Sequence, residues 1–281
     1  MNSKENRMRK YLAPVVIGGV FAIVAVSLWL ATGNAFYLLN FGYIGACLAA
    51  GLSLLIANVK GARVFVEFAV GLYLLVGVGL IGHENMQIEG FWYFLALGVF
   101  EGATIHYLVA KIAGPLVFGR GWCGYACWTA MVLDVLPYKT RQAPRKKWEW
   151  MRACALAASI VFVAVVLAAA SENADSIIFA AFVAGNIAYY VAGIALAFAL
   201  KDNRAFCKYL CPVGLMMKPT ASLSLIRIRF DAEKCIGCGA CVRACPMDVQ
   251  VNADFSQRAR KTECILCAEC TKVCPTKAIT L

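Results

Sequence analysis

The chain has 281 residues, 62% of them hydrophobic and 15% charged, with a formal net charge of +11 and a mean hydropathy of +0.71. A soluble domain is about half apolar and about a quarter charged, so this composition excludes a purely water-soluble fold and requires burial in lipid as well as in the chain's own interior. The chain has 14 Cys and only 2 His, which excludes an imidazole-rich site. In a chain neither small nor evidently secreted, that cysteine content points to metal ligation before a disulfide framework.

Six apolar segments are long enough to cross a bilayer, which takes roughly 20 residues. They run about 12–31, 36–58, 63–82, 91–112, 152–171 and 176–200. The first follows Lys4, Arg7, Arg9 and Lys10, as a signal peptide would. Its apolar run exceeds the about 7–15 residues of a signal sequence and no small-residue cleavage site follows, so it reads as a retained helix. With the N-terminus inside, all 27 Lys and Arg fall in or at the edges of 1–11, 59–62, 113–151 and 201–281. The opposite loops carry Glu84, Glu89, Glu172 and Asp175 instead. Lys and Arg in short loops stay cytoplasmic. The expected architecture is therefore a six-helix transmembrane bundle over 1–200 in a bacterial-type inner membrane, with both termini cytoplasmic. The run Arg141, Arg145, Lys146 and Lys147 reads as an anchor against anionic lipid, and no nucleic-acid motif accompanies it.

Charged groups at bilayer depth are costly and are candidates for function. Glu101 and His106 lie in the fourth segment, which leads straight into the first cysteine motif. They are the candidate proton-accepting pair of a quinone site, against the plainer reading of helix–helix hydrogen bonds. Glu67 reads as snorkelling to the interface, and His83 with Glu84 as facing water. Cys47 and Cys154 sit in apolar helices and pack as small hydrophobes.

The loop 113–151 carries Arg120-Gly-Trp-Cys123-Gly-Tyr-Ala-Cys127, and the linker 201–224 carries Arg204-Ala-Phe-Cys207-Lys-Tyr-Leu-Cys211-Pro212. Both read Arg-small-aromatic-Cys-x-Tyr-x-Cys, an internal repeat. Cysteines at i and i+4 share one helix face, so two such pairs can present four thiolates to one centre. Three readings stay open at this point: a third metal centre, iron–sulfur or mononuclear, on Cys123, Cys127, Cys207 and Cys211; half-buried structural thiols; or a dithiol redox pair.

The last stretch, 225–281, holds Cys235-Ile-Gly-Cys238-Gly-Ala-Cys241-Val-Arg-Ala-Cys245-Pro246 and its repeat Cys264-Ile-Leu-Cys267-Ala-Glu-Cys270-Thr-Lys-Val-Cys274-Pro275. Two copies of C-x2-C-x2-C-x3-C-P form the bacterial ferredoxin run, in which the fourth Cys of each copy ligates the other cluster. One 4Fe–4S cluster is expected on Cys235, Cys238, Cys241 and Cys274, and a second on Cys264, Cys267, Cys270 and Cys245. Ser224–Phe230, Asp248–Val251 and Ala278–Leu281 are expected as flanking strands of a small α+β domain.

Over roughly 90–281 the chain resembles the NapH type of membrane ferredoxin. The wider group includes the NosR-type membrane part and the CcoG/RdxA-type maturation proteins. The resemblance implies electron exchange between membrane quinone and other redox subunits, as an oxidoreductase subunit of quinol-dehydrogenase type. Six helices rather than four, and Trp128 in place of the usual Pro, depart from the NapH pattern. Flavin, nicotinamide and haem motifs are absent from the sequence: the helix glycines Gly18, Gly19, Gly71, Gly77 and Gly79 lack a strand-turn-helix context, and His83 and His106 fall at different depths. The alternatives are a metal-handling or maturation reductase, and a redox-sensing or anchoring subunit.

Overall fold

The computed structural model of the protein describes all residues except 1–2, 58, 101, 141–145 and 253–261. Helices α1 (Ser3–Thr32) and α2 (Phe36–Ile56) form a hairpin. Gly33, at φ +71°, ends α1 in the left-handed conformation that glycine adopts without strain. Gly45 packs on Phe21, where an added Cβ would come within 2.4 Å of the ring's own Cβ, so the hairpin depends on a small residue at that crossing. Val15, Ile23, Leu30 and Leu39 on the hairpin are exposed, an outer surface suited to hydrocarbon. Helix α3 (Ala62–Leu72) continues through the π-helical Tyr73–Ile81.

The fourth expected helix, 91–112, is not one continuous span. After α3 the chain turns back into the bundle, and Asn85, Met86, Gln87 and Ile88 are buried. Asn85 donates to the carbonyl of Ile178 at 2.8 Å, and Gln87 lies against Gly185. Helix α4 (Ile88–Ala96) then runs away from the cysteine motifs. Its first turn packs near Val213 and Met216, while the Tyr93 hydroxyl donates to Asp175 at 2.8 Å. The break lies at Leu97–Gly102, where Gly98 and Gly102 have φ of +71° and +33°. The apolar helix Gly102–Phe118 brings the chain back, as α5 (Gly102–His106), the π-helical Tyr107–Ala113 and α6 (Gly114–Phe118). Hydropathy averaged over the segment is insensitive to two glycines in left-handed conformations, which is why a single helix was expected.

Short helices α7 (Trp122–Tyr125) and α8 (Trp128–Leu133) follow, then α9 (Met151–Ala169) and α10 (Ala174–Leu200). Among the described residues five helices are thus long and apolar enough to cross a membrane, not six. The stretch after α10 folds as α11 (Ala205–Tyr209), α12 (Pro212–Met216) and α13 (Lys218–Ala221). Phe206, Lys208 and Met217 there are among the most buried side chains.

The C-terminal part has one strand pair among the described residues: β1 (Arg229–Phe230) lies antiparallel to β2 (Ile279–Thr280), with Arg229 opposite Thr280. The expected strand at Ser224–Phe230 shrinks to its last two residues. The one at Asp248–Val251 is absent, because Asp248 takes φ +57° and the Val249 N–H turns to the Cys245 sulfur at 3.3 Å instead of a ladder. Leu133, Phe206 and Met217 of the helical part share one apolar core with Met247, Val249, Ile265 and Ile279. The two parts are therefore packed as a unit.

Candidate metal centres

In the C-terminal part the backbone explains the cysteine spacing. Gly237 and Gly239, at φ +72° and +67°, fold the first loop around its thiols. The same two positions of the second loop are Leu266 and Ala268, at φ +54° and +57°. Lys277 repeats the left-handed turn of Asp248 three residues beyond the fourth cysteine. These turns aim amides at sulfur: the Gly237 N–H points to Cys235 Sγ at 3.4 Å. The thiols separate into two sets. Cys245, Cys264, Cys267 and Cys270 line a cavity of about 450 Å³. Cys235, Cys238, Cys241 and Cys274 line a smaller one. The first three cysteines of each run therefore meet the fourth of the other run. Soft thiolate sets of this kind, with amides directed at sulfur, fit 4Fe–4S clusters.

The second constellation lies at the end of the bundle beneath this domain. Cys123 sits in α7 and Cys207 in α11, both buried. The expected arrangement of each pair on one helix face is not what forms. Each short helix ends before its second cysteine. Cys127 and Cys211 are extended, with ψ of 114° and 113°, and stand directly before α8 and α12. The motif is helix, break, helix, and the break turns the second thiol back toward the first. Cys207 lies within electrostatic reach of Cys211, Cys127 and Cys123, so the two copies converge. Burial pushes the Cys127 thiol up to about 12 and raises Cys207 and Cys211 as well. Thiolates there need a bound cation to offset that cost. Among the described residues no three His, Cys, Asp or Glu close on a single metal ion. This holds equally for the eight ferredoxin-run thiols, whose sets surround a cluster-sized space.

Trp128, at the position of Pro212 in the second copy, has a structural reason. Its indole N–H donates to Asn186 at 2.9 Å and its carbonyl accepts from Tyr190 at 3.0 Å, which ties the first motif to α10.

The arginines that begin the two motifs carry roles the sequence reading left unassigned. Arg204, 1% exposed, pairs with Asp134 at 2.5 and 2.6 Å and with Glu67 at 3.3 Å. It also donates to the Cys123 carbonyl at 2.8 Å. Glu67 is therefore buried in an ion-pair network with Arg63 and Arg204, and does not snorkel. Burial would raise Asp134, but Arg204 and Arg63 outweigh it and hold the carboxyl at about 2. Arg120, also 1% exposed, pairs with Glu263, the residue before Cys264. Arg152 reaches Glu263 at 3.0 Å, and Lys218 reaches the same carboxylate at 2.9 Å. Lys208 bridges Asp202 and Asp248, each at 2.7 Å.

These contacts place the Cys264 loop on the first C-x3-C motif. Tyr125 donates to the Leu266 carbonyl at 3.0 Å. A Cβ on Gly124 would come within 2.5 Å of the Ile265 carbonyl. The Cys235 loop faces outward, with Cys238 exposed and Ile236 67% exposed.

Of the expected quinone pair, Glu101 lies outside the described residues. His106 is half-buried against Trp122, Trp128 and Tyr107, and its Nε2 has no hydrogen-bond partner among the described residues. The re-entrant segment adds groups the sequence reading missed. Gln87 Nε2 and Glu89 Oε2 are buried without hydrogen-bond partners among the described residues. Tyr107, stacked on Phe91, lies within electrostatic reach of Glu89, Tyr189, Cys127 and Cys211. Arg141 and Arg145 of the basic run also lie outside the described residues. Lys146 binds the Tyr209 hydroxyl through its N–H.

A 4Fe–4S dicluster domain family matches residues 234–279, a second dicluster family matches 205–249, and a 4Fe–4S binding domain family matches 105–150. Together they cover all twelve motif cysteines.

The chain carries 4Fe–4S domains of the ferredoxin kind.

The chain is 28% identical to an uncharacterized protein of Methanocaldococcus jannaschii, over 61% of this chain and 70% of that one. It is 29% identical to the methylamine utilization ferredoxin-type protein MauN of Methylorubrum extorquens, over 51% of this chain and 52% of that one. YccM of Escherichia coli, whose name assigns it provisionally to electron transport, is 41% identical over 21% of this chain and 16% of its own length. The chain thus spans about half of this MauN and a small part of YccM. No solved structure matches it.

Proposed function

We propose that the chain exchanges electrons between membrane quinone and a partner redox subunit, as a quinol-dehydrogenase module of NapH type within a larger complex. Three 4Fe–4S centres would serve it. Cys123, Cys127, Cys207 and Cys211 hold the one at the end of the bundle. Cys245, Cys264, Cys267 and Cys270 hold the middle one, and Cys235, Cys238, Cys241 and Cys274 the outermost. The observation that carries this reading is the seating of the Cys264 loop on the first C-x3-C motif, through Tyr125 and the bare backbone of Gly124. When bound, such clusters supply one-electron transfer.

The chain's own residues supply the rest. A quinol gives up two electrons and two protons, so its site needs proton acceptors within reach. Among the described residues Glu89 and His106 each have a buried atom without a hydrogen-bond partner, His106 beside Trp122 and Trp128 of the first motif, and Gln87 offers a buried donor to a quinone oxygen. Trp122, Trp128 and Phe91 wall this region with apolar rings. The distribution of Lys and Arg supports a cytoplasmic position for the cluster domain. The exposed rim at Ile236 and Cys238 is where a partner subunit would meet the outermost centre.

The test is reduction by a quinol analogue in stopped flow on the anaerobically purified chain. The parent should show rapid bleaching of iron–sulfur absorbance. The Cys207→Ser, Cys211→Ser variant should keep its ferredoxin-run clusters and lose this reduction. A parent reduced by dithionite but not by quinol would instead leave an anchoring or sensing subunit.

A further inference from the structure

The repeat that begins each C-x3-C motif with arginine is symmetric in sequence and asymmetric in charge. Around Arg204 the account is balanced: Arg204 and Arg63 face the two carboxylates Asp134 and Glu67. Around Arg120 it is not. Arg120, Arg152 and Lys218 all converge on one carboxylate, Glu263. Arg120 and Arg152 are 1% and 0% exposed, and the Nε of each has no hydrogen-bond partner among the described residues. The second carboxylate near Lys218, Glu149, is 3.7 Å away and half-exposed, so it offsets little. A buried excess of cations is unfavourable unless an anion completes it.

The position of the excess identifies that anion. Glu263 precedes Cys264 of the middle set. Arg120 lies within electrostatic reach of Cys123, Cys207 and Cys211 on one side and of Cys264 on the other. Arg152 reaches Cys211 as well. The cations therefore stand between the two thiolate sets, at the joint that electrons must cross.

We propose that the Arg120–Glu263–Arg152 node, with Lys218, is the electrostatic element that sets the reduction potentials on the two sides of this joint. This rests on the reading of Cys123, Cys127, Cys207 and Cys211 as ligands of a third centre. A fixed cation favours the form of a neighbouring group that has gained an electron, because the added negative charge is attracted to it. The node thus raises the potentials of both adjacent centres relative to the outermost one. Its arginines are positioning residues, charged at every working pH.

The experiment is an EPR-monitored redox titration of the full chain in detergent, on the parent, Lys218→Gln, Arg120→Lys, Arg120→Gln and Glu263→Gln. Removing a cation should lower the potentials of the centres beside the joint, with Arg120→Gln moving them more than the half-exposed Lys218→Gln. Glu263→Gln should raise them, and Arg120→Lys should stay near the parent. The signal of the outermost centre should move least. Opposite signs for loss of cation and loss of carboxylate are a signature that general loosening cannot produce. If Lys218→Gln, the mildest variant, and Glu263→Gln leave potentials unchanged or move them in the same direction, the node is only a structural clamp. A parent without a third signal would remove the third-centre reading and this proposal with it.

Discussion

The two cysteine loops of the C-terminal part share one ligand spacing and differ in almost everything they touch. The Cys235 loop turns on Gly237 and Gly239, where an added Cβ at Gly237 would meet open space, and it presents Ile236 and Cys238 to the outside. The Cys264 loop makes the same turns with Leu266 and Ala268, and its Ile265, Leu266, Cys267 and Cys270 are buried. Left-handed backbone costs a residue with a Cβ roughly 1–2 kcal/mol. The second loop tolerates that cost because Ile265 and Leu266 are packed into the joint with the first C-x3-C motif. One loop is built as an outer face, the other as an inner contact.

Substitutions should break this contrast unevenly. The largest effect belongs to Glu263→Ala, which leaves Arg120 and Arg152 uncompensated in the interior. A loss of about 3–5 kcal/mol is expected from breaking a buried pair, read as a lower thermal midpoint of the detergent-solubilised protein. Its exposed counterpart before the outer loop, Asp231→Ala, removes the surface pair with Lys234 and an exposed hydrogen bond from the Glu233 N–H, and should move the midpoint far less.

Gly124→Ala comes next, because its Cβ would meet the Ile265 carbonyl at 2.5 Å. Overpacking of this kind costs about 1–3 kcal/mol and should increase protease cleavage between the two parts. An unchanged cleavage pattern would mean that the joint is loose. Asp134 should give a comparable effect confined to acid. Its carboxyl lies at about 2 against an ordinary 3.8, so its contribution of about 2 kcal/mol is complete above the ordinary value and is lost as pH falls through about 2. Asp134→Asn should therefore flatten the acid dependence of unfolding below about pH 4 and leave the slope between pH 8 and 5 unaltered. The smallest effect is Ala268→Gly, a gain of up to about 1 kcal/mol as the left-handed strain is relieved. A loss there would show that the alanine methyl contributes packing that outweighs the strain.

Composition and cysteine spacing carried much of this architecture. Apolar runs marked the five long helices, because hydropathy needs no tertiary context. The grouping of Cys235, Cys238 and Cys241 with Cys274, and of Cys264, Cys267 and Cys270 with Cys245, was legible because spacing itself encodes a loop around a cluster. The re-entrant turn at 82–88 was not, since Asn85 and Gln87 look like ordinary loop residues until Ile178 and Gly185 are placed beside them. The repeat Arg-small-aromatic-Cys was visible, yet the partners of its arginines, Glu263 for Arg120 and Asp134 and Glu67 for Arg204, lie 143, 70 and 137 residues away, and no local pattern announces them. Glu67 was misread for the same reason: with only Arg63 one turn away it looks like a group at the interface, and the arginine that draws it into the interior, Arg204, lies 137 residues on.

The most direct measurement is iron and acid-labile sulfide content, with EPR, on the anaerobically purified parent and its Cys207→Ser, Cys211→Ser variant. The account predicts about twelve iron per chain in the parent and about eight in the variant, with one EPR signal lost, since each 4Fe–4S centre holds four. About eight iron in both proteins would contradict it. The C-x3-C cysteines would then be thiols at the base of a two-cluster ferredoxin, and the path from the bundle to the cluster domain would lack its first step.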